Sequence, residues 1–270
     1  MDQLTVEQPR LAAPGYGAAA IESRILVASE LLCESVDPRA GERVLDVACG
    51  SGNAALAAAR RFCRVVGVDR DPDLLDRARR RSEAEGLEIA FRDGDAGCLP
   101  FPDGSFDVAL SAGGALSTMP ATDPERGAAE LLRVCRPGGR IGMVAWTPDG
   151  YVGELLAAVG AQLPRWWDRC SPAAWGSVEG LRRLFGSEVA VAAPRRCVLW
   201  RFPSAERQVE ALAAFHDPTV EALQALEADR AAALRAGMVE LARRFDVSDD
   251  DTLVLRLDYL EVVVSKPTWL

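Results

Sequence analysis

The chain has 270 residues, with 31 Lys and Arg against 40 Asp and Glu, for a net charge of −9. That length holds one large α/β domain or a core carrying a substantial insertion. The acidity argues against a nucleic-acid partner, whose phosphates favour basic surfaces. No apolar run reaches the ~18 residues of a membrane-spanning helix, and the opening MDQLTVEQPR lacks the basic, apolar and small-residue regions of a signal peptide. The seven cysteines contain no C-x-x-C pair, so reduced thiols in a cytoplasmic protein are expected, without a membrane partner.

In chain order, Ala19–Val36 places Ile21, Ile25, Leu26 and Leu32 at helical spacing. RVLDVAC, from Arg43, is a short apolar strand, and NAALAAARRF after it is a helix. Arg64–Asp71 is the second strand. Asp71-Pro72 then supplies an N-cap and a proline at the first helical position. The helix it opens carries RARRR (Arg77–Arg81), expected to be a solvated helix face rather than a phosphate track. Leu87–Asp95 and Phe106–Gly114 are the third and fourth strands. Asp123-Pro124 opens a helix that stops before RPGG, and Arg140–Trp146 is the fifth strand. This alternation of strand and helix is the signature of a parallel, doubly wound α/β sheet. After Trp146 the pattern changes. Residues 147–186 are helical or loop, Glu188–Phe202 returns to β, Ser204–Phe245 is helical with a break at His216-Asp217-Pro218, and Thr252–Lys266 is a last β run. The expected divisions are a helical segment over 1–42, a cofactor-binding core over 43–146, and a substrate and lid region over 147–270.

VLDVACGSGNAAL, Val44 to Leu56, is the segment that carries chemistry. Gly50, Gly52 and Ala55 satisfy the G-x-G-x-x-G/A pattern of a dinucleotide site. Asp46, four residues before the first glycine, faces the crevice at the end of the first strand. It would repel a pyrophosphate and attract a ligand with a positive end, such as S-adenosylmethionine with its sulfonium and ammonium groups. Asp69 ends the second strand, seventeen residues after Gly52, where a ribose diol would meet it; that acid suits NAD and S-adenosylmethionine alike. Lys266 is the only lysine, so a Walker A loop is excluded, and no Tyr-x-x-x-Lys pair of a short-chain dehydrogenase is present. His216 is the only histidine, so no histidine-built zinc site is possible and no metal is expected. The alanine- and arginine-rich, lysine-poor composition points to a high-GC bacterial genome.

VLDVACGSGN resembles the first motif of class I S-adenosylmethionine-dependent methyltransferases, in the subgroup that includes the ubiquinone/menaquinone-biosynthesis C-methyltransferases. VVGVDRDPDLLDRAR resembles their second motif, GDAGCLPFPDGSFDVALS their third region, and ELLRVCRPGGRIGMVAW their E-x-x-RVL-x-PGG segment. The matches keep the family's order and spacing from Arg43 to Trp146. One departure is Ala48, where many members carry glycine. The resemblance implies a Rossmann-like, mostly parallel seven-stranded sheet with a helical lid inserted before the last strand.

It also implies roles. Asp46 would hold the methionine amino group, directly or through water, and Gly50 and Gly52, with Ala48 in the same turn, would let the backbone approach the ligand. Asp69 would take the ribose hydroxyls, with Arg70 flanking the adenine. Asp95 would accept from the adenine amine beside the Ala96 backbone, and Ser111 would lie near the methionine portion. The product would be S-adenosylhomocysteine. Methyl transfer needs the nucleophile and methyl held about 3 Å apart and aligned, and a base only if the nucleophile keeps its proton. His216 is the candidate base, against a plain linker role before a helix start. Tyr16, Trp146, Trp166, Trp167 and Trp175 are candidates for the substrate wall, against ordinary core packing.

The fourth strand runs into SAGGA, not the Asn or Asp followed by Pro-Pro and an aromatic of amino-methylating DNA enzymes. A small-molecule acceptor is therefore expected, a natural-product or quinone-like intermediate, with O-methylation favoured. A protein that binds S-adenosylmethionine for structural or non-methylating use, such as cyclisation, stays open, as does an NAD-dependent oxidoreductase. A monomer and a homodimer are equally compatible with the sequence.

Overall fold

The computed structural model describes residues 16–112, 123–163 and 172–269. Helix α1 (Tyr16–Val36) leads into strand β1 (Arg43–Val47), helix α2 (Asn53–Ala59), β2 (Arg64–Asp69), α3 (Pro72–Ala84), β3 (Ile89–Asp93) and β4 (Phe106–Ser111). Then come α4 (Pro124–Val134), β5 (Cys135–Trp146), α5 (Tyr151–Gly160), α6 (Pro172–Trp175) and α7 (Val178–Phe185). The chain continues through β6 (Ala190–Ala192), β7 (Arg195–Phe202), α8 (Ala205–Phe215), α9 (Asp217–Ala225), α10 (Ala228–Arg244) and β8 (Leu253–Ser265).

The strands run β3-β2-β1-β4-β5-β8-β6, with β7 also on β8. From β3 across to β5 every pairing is parallel, and β8 lies antiparallel to β5. Eight strands fill seven positions. Ala192 faces Val263 and Arg195 faces Leu260, so β6 and β7 keep one register on β8 and form a single edge strand broken at Ala193-Pro194. Proline lacks the N–H that a ladder needs, which confines it to such an edge. Its carbonyl still accepts from the Glu261 N–H at 3.0 Å.

Helix starts follow their caps. The Asp71 carboxylate accepts from the Asp73 and Leu74 N–H groups, and Asp123 accepts from Glu125. The fifth strand begins earlier than its apolar run. Cys135 pairs with Phe106 and Arg140 with Val108, so Arg136-Pro137-Gly138-Gly139 bulges within β5.

Alternation of side chains along the strands sorts the core into two layers. Val44, Val108, Leu110, Val144 and Trp146 face α1, α2, α3, α5 and the α8–α10 helices. Leu45, Val47, Ala109, Ile141 and Met143 face α4, α6 and α7. The second layer also locks two motif segments together. Glu130 accepts from the Leu99 N–H at 2.6 Å, and Arg133 donates to the Leu99 and Phe101 carbonyls. The LPFPDGSFD loop and the E-x-x-R helix are thus each other's partners, a physical reason for their occurring together. Among the described residues no helix is long and apolar enough to cross a membrane.

Candidate active site

The ends of β1 and β2 and the turn between β1 and α2 meet at the carboxyl edge of the sheet, where ligands of open parallel sheets bind. The turn winds through three left-handed residues, Ala48 (φ 53°), Gly50 (φ 54°) and Gly52 (φ 85°). Gly52 has two reasons to be glycine: its φ, and the 3.2 Å that a Cβ would leave to Ala78 Cβ. A Cβ on Gly50 would meet nothing within 4 Å, so that side of the turn is open for a ligand. Ala48 occupies the same conformation with a Cβ, a strain of about 1–2 kcal/mol.

Side chains from three elements hold the turn. Asp69, on β2, accepts from the Gly50 N–H at 2.7 Å through Oδ2 and from the Asp71 N–H at 3.0 Å through Oδ1. Asp46, on β1, accepts from the Ala55 N–H at 2.8 Å through Oδ2. Arg81, on α3, donates through one nitrogen to the Ser51 carbonyl, the Ser51 hydroxyl and Asn53 Oδ1 at 2.7, 3.1 and 2.9 Å. The expectation of a solvated RARRR face holds for Arg79 and Arg80, which are exposed, and is corrected for Arg81. Arg81 faces the turn because it lies three residues beyond Ala78, on the stripe that packs beneath Gly52. Arg79 likewise donates to the Phe91 carbonyl.

Asp46 is 1 % exposed, and its Oδ1 has no hydrogen-bond partner. Burial pushes its carboxyl up to about 8, with the Ala55 N–H opposing the shift and the Asp69 charge adding to it. A buried acid with a vacant oxygen is costly alone and suited to a hydrogen-bonded or cationic partner. Each Asp69 oxygen accepts a single N–H in these contacts and keeps a second lone pair for a hydroxyl. These features fit S-adenosylmethionine: the spare Asp69 lone pairs suit ribose hydroxyls, and the unpartnered Asp46 oxygen suits a positive end.

The other expected cofactor residues surround this centre. The Gly94 N–H donates to the Asp69 carbonyl at 3.1 Å, which ties the turn bearing Asp95 to the end of β2. Asp95 accepts from the Gly97 N–H at 2.8 Å in an Asx turn, Ala96 beside it is buried, and Arg70 is exposed at the rim. Ser111 is buried at the end of β4 and pairs with Met143 on β5.

The acceptor-side candidates are not gathered in one place. Trp146, at the end of β5, stands edge-on to Tyr259 with centroids 6.0 Å apart. Trp175 belongs to the opposite layer, edge-on to Phe185 at 6.2 Å. Tyr16 is the first residue of α1, and Trp166 and Trp167 lie outside the described residues. His216 sits at the junction of α8 and α9. Its N–H donates to the Leu212 carbonyl, its carbonyl accepts from Thr219 and Val220, and its Nδ1 is 2.7 Å from Thr219 Oγ1. Burial pushes the imidazole down from 6.5 to about 4, so the ring is neutral at pH 7 and a weak base.

The segment 44–139 matches the family model described as a methyltransferase domain. An uncharacterized protein of Mycobacterium tuberculosis is 36 % identical over 231 residues, covering 84 % of this chain and 82 % of its own. The demethylmenaquinone methyltransferase of Thermus thermophilus is 43 % identical over 112 residues, 41 % of this chain and 50 % of that one. Among solved structures, a putative methyltransferase from Bacillus halodurans superposes with a TM-score of 0.61 at 22 % identity, over 89 % of this chain and 99 % of its own.

Proposed function

The chain belongs to the class I S-adenosylmethionine-dependent methyltransferases, and from that premise we propose that it methylates a small-molecule acceptor, a quinone-like phenol or a natural-product intermediate, on oxygen. S-adenosylmethionine supplies a methyl carbon already activated by its sulfonium. Asp69 holds the ribose, Asp46 the methionine amino group through a bridging water or directly, Asp95 and the Ala96 backbone the adenine, and Ser111 the methionine end. The observation that carries this assignment is the buried Asp46 Oδ1, which has no hydrogen-bond partner, on the strand that leads into a turn open at Gly50. A ligand with a positive end favours the ionised form of this acid, whereas a pyrophosphate opposes it.

The acceptor site falls to the second half of the chain. Residues 204–245 supply Val209, Leu212, Met238 and Leu241 to the same core layer as Trp146, which supports reading these helices as a cover over the acceptor site. A quinone-type acceptor, but not the choice of oxygen, is supported by the name of the Thermus relative, whose similarity spans a shorter segment than the mycobacterial one.

With Nδ1 engaged by Thr219 and its basicity lowered by burial, His216 has little capacity to take a phenolic proton. The phenol loses its proton to water before transfer, the phenolate oxygen forms its bond to the methyl as the sulfur–methyl bond breaks, and alignment and proximity carry the step; His216 sits at the joint of two helices. The test is incubation with S-adenosylmethionine and a panel of phenols and hydroxyquinones, read by mass spectrometry. Stoichiometric S-adenosylhomocysteine and a singly methylated phenolic oxygen are expected. Methylation confined to carbon or nitrogen acceptors would overturn the oxygen assignment, and tight cofactor binding without turnover of any acceptor would favour a structural use of the ligand.

A further inference from the structure

We infer that Arg81 is a positioning residue that holds the glycine turn in its binding-ready shape and so sets cofactor affinity without touching the ligand. The inference rests on the assignment of this turn to S-adenosylmethionine. The two acids hold the ends of the segment, Asp69 at the Gly50 N–H and Asp46 at the Ala55 N–H. Its middle, Ser51 to Asn53, includes Gly52, whose backbone freedom is the greatest of any residue type. Arg81 reaches that middle from a different helix, thirty residues along the chain, through the carbonyl and hydroxyl of Ser51 and the amide oxygen of Asn53.

Helix electrostatics do not account for this placement. Asn53 is the first residue of α2, and a cation beside a helix N-terminus runs against the macrodipole. The hydrogen bonds must outweigh that term. Charge-assisted bonds to neutral acceptors are strong enough to do so. Their effect is to remove conformations of the turn before a ligand arrives, so the ordering cost is not charged to binding. Helix packing supports the same geometry, because Ala78 lies one turn earlier on α3 directly against Gly52. Arg81 and Ala78 thus form one stripe that fits the underside of the turn and leaves the Gly50 side open.

Titration calorimetry with S-adenosylhomocysteine, at a temperature where circular dichroism shows each variant folded, tests this. Arg81→Ala should bind about 10- to 100-fold more weakly than the wild type. Arg81→Lys should recover part of the loss, because an ammonium can donate to the same acceptors but lacks the planar fork. Asn53→Ala should weaken binding less. The double variant Arg81→Ala/Asn53→Ala should lose measurably less affinity than the summed losses of the two singles, because both act through one contact. Arg80→Ala, an exposed neighbour on α3, should bind as the wild type does. A folded Arg81→Ala with wild-type affinity and only a lowered melting temperature would reduce Arg81 to a structural residue and overturn the inference, as would strictly additive losses. Should Arg81→Ala fail to fold, wild-type affinity in both Arg81→Lys and Asn53→Ala would overturn it instead. A wild type that binds no S-adenosylhomocysteine would refute the assignment of the turn itself.

Discussion

The two halves of this molecule are built on different principles. From Arg43 to Trp146 the decisive contacts are polar side chains gripping backbone: Asp69 on Gly50, Asp46 on Ala55, Arg81 on Ser51, Glu130 on Leu99. Beyond Trp146 the decisive contacts are apolar, with α5 and α10 packed on β8, α8 on β7, and α9 on those three helices. A site that recognises an invariant ligand needs fixed backbone geometry. A site that recognises a variable acceptor needs a shaped apolar wall. The difference predicts that damage to the first half removes cofactor binding, whereas damage to the second half changes stability or acceptor use and leaves the cofactor site intact.

The largest expected effect is that of Gly52→Val. It forces a β-branched residue to φ 85° and drives its Cβ to 3.2 Å from Ala78, at about 3 kcal/mol or more. Thermal unfolding should show the loss, and cofactor binding should be undetectable even in protein that remains folded. Next is Asp69→Ala, which frees the Gly50 and Asp71 N–H groups and removes the ribose acceptor. Cofactor affinity should fall by about 1–3 kcal/mol. Equal affinity in variant and wild type would mean that the end of β2 is not the ribose site.

Tyr151→Phe probes the other half. Gln208 donates to the Tyr151 hydroxyl at 2.6 Å inside the helical layer, and both residues are fully buried. Removing the hydroxyl leaves the amide unpaired, at about 1–3 kcal/mol of stability. Cofactor affinity should stay unchanged; a parallel fall in affinity would break the division between the halves.

How much of this was legible in the sequence divides along the same line. The strands of the first half, their terminal acids and the capped starts of α3 and α4 follow from alternation, Asp-Pro pairs and the glycine turn, because each is a local rule. Arg81 was not legible as a turn partner, since the residues around it in RARRR look alike until helical phase is known. The early start of β5 at Cys135 was also hidden, because RPGG reads as a stop and the bulge is set by the pairing with β4. In the second half, Trp146 and Trp175 look equivalent in sequence and end up in opposite layers. Which side of a sheet a helix takes is a tertiary choice, with no local signal.

The smallest effect concerns pH. The His216 imidazole is near 4 in the folded chain against 6.5 free. Between those values the unfolded chain binds a proton that the folded chain does not. Its contribution is therefore complete above about 6.5 and is lost as pH falls toward about 4. Asp46, raised to about 8, acts with the opposite sign, its contribution being lost as pH rises toward 8, so only the difference between wild type and His216→Ala isolates the histidine. Chemical denaturation across that window should show the variant with a flatter acid side, by about 1–2 kcal/mol once discounted for the part of the ring that stays in water. Its turnover should fall less than about 10-fold. A loss of about 10²-fold or more, with an unchanged cofactor affinity, would restore His216 as the base.

The central claim is that the turn from Ala48 to Ala55 and the two acids beside it form a site for a ligand with a positive end rather than a pyrophosphate. Calorimetric titration of the wild-type protein with S-adenosylhomocysteine and, separately, with NAD tests it most directly. Saturable binding of S-adenosylhomocysteine and no measurable heat with NAD is the predicted result. NAD binding as tight as, or tighter than, S-adenosylhomocysteine would contradict it.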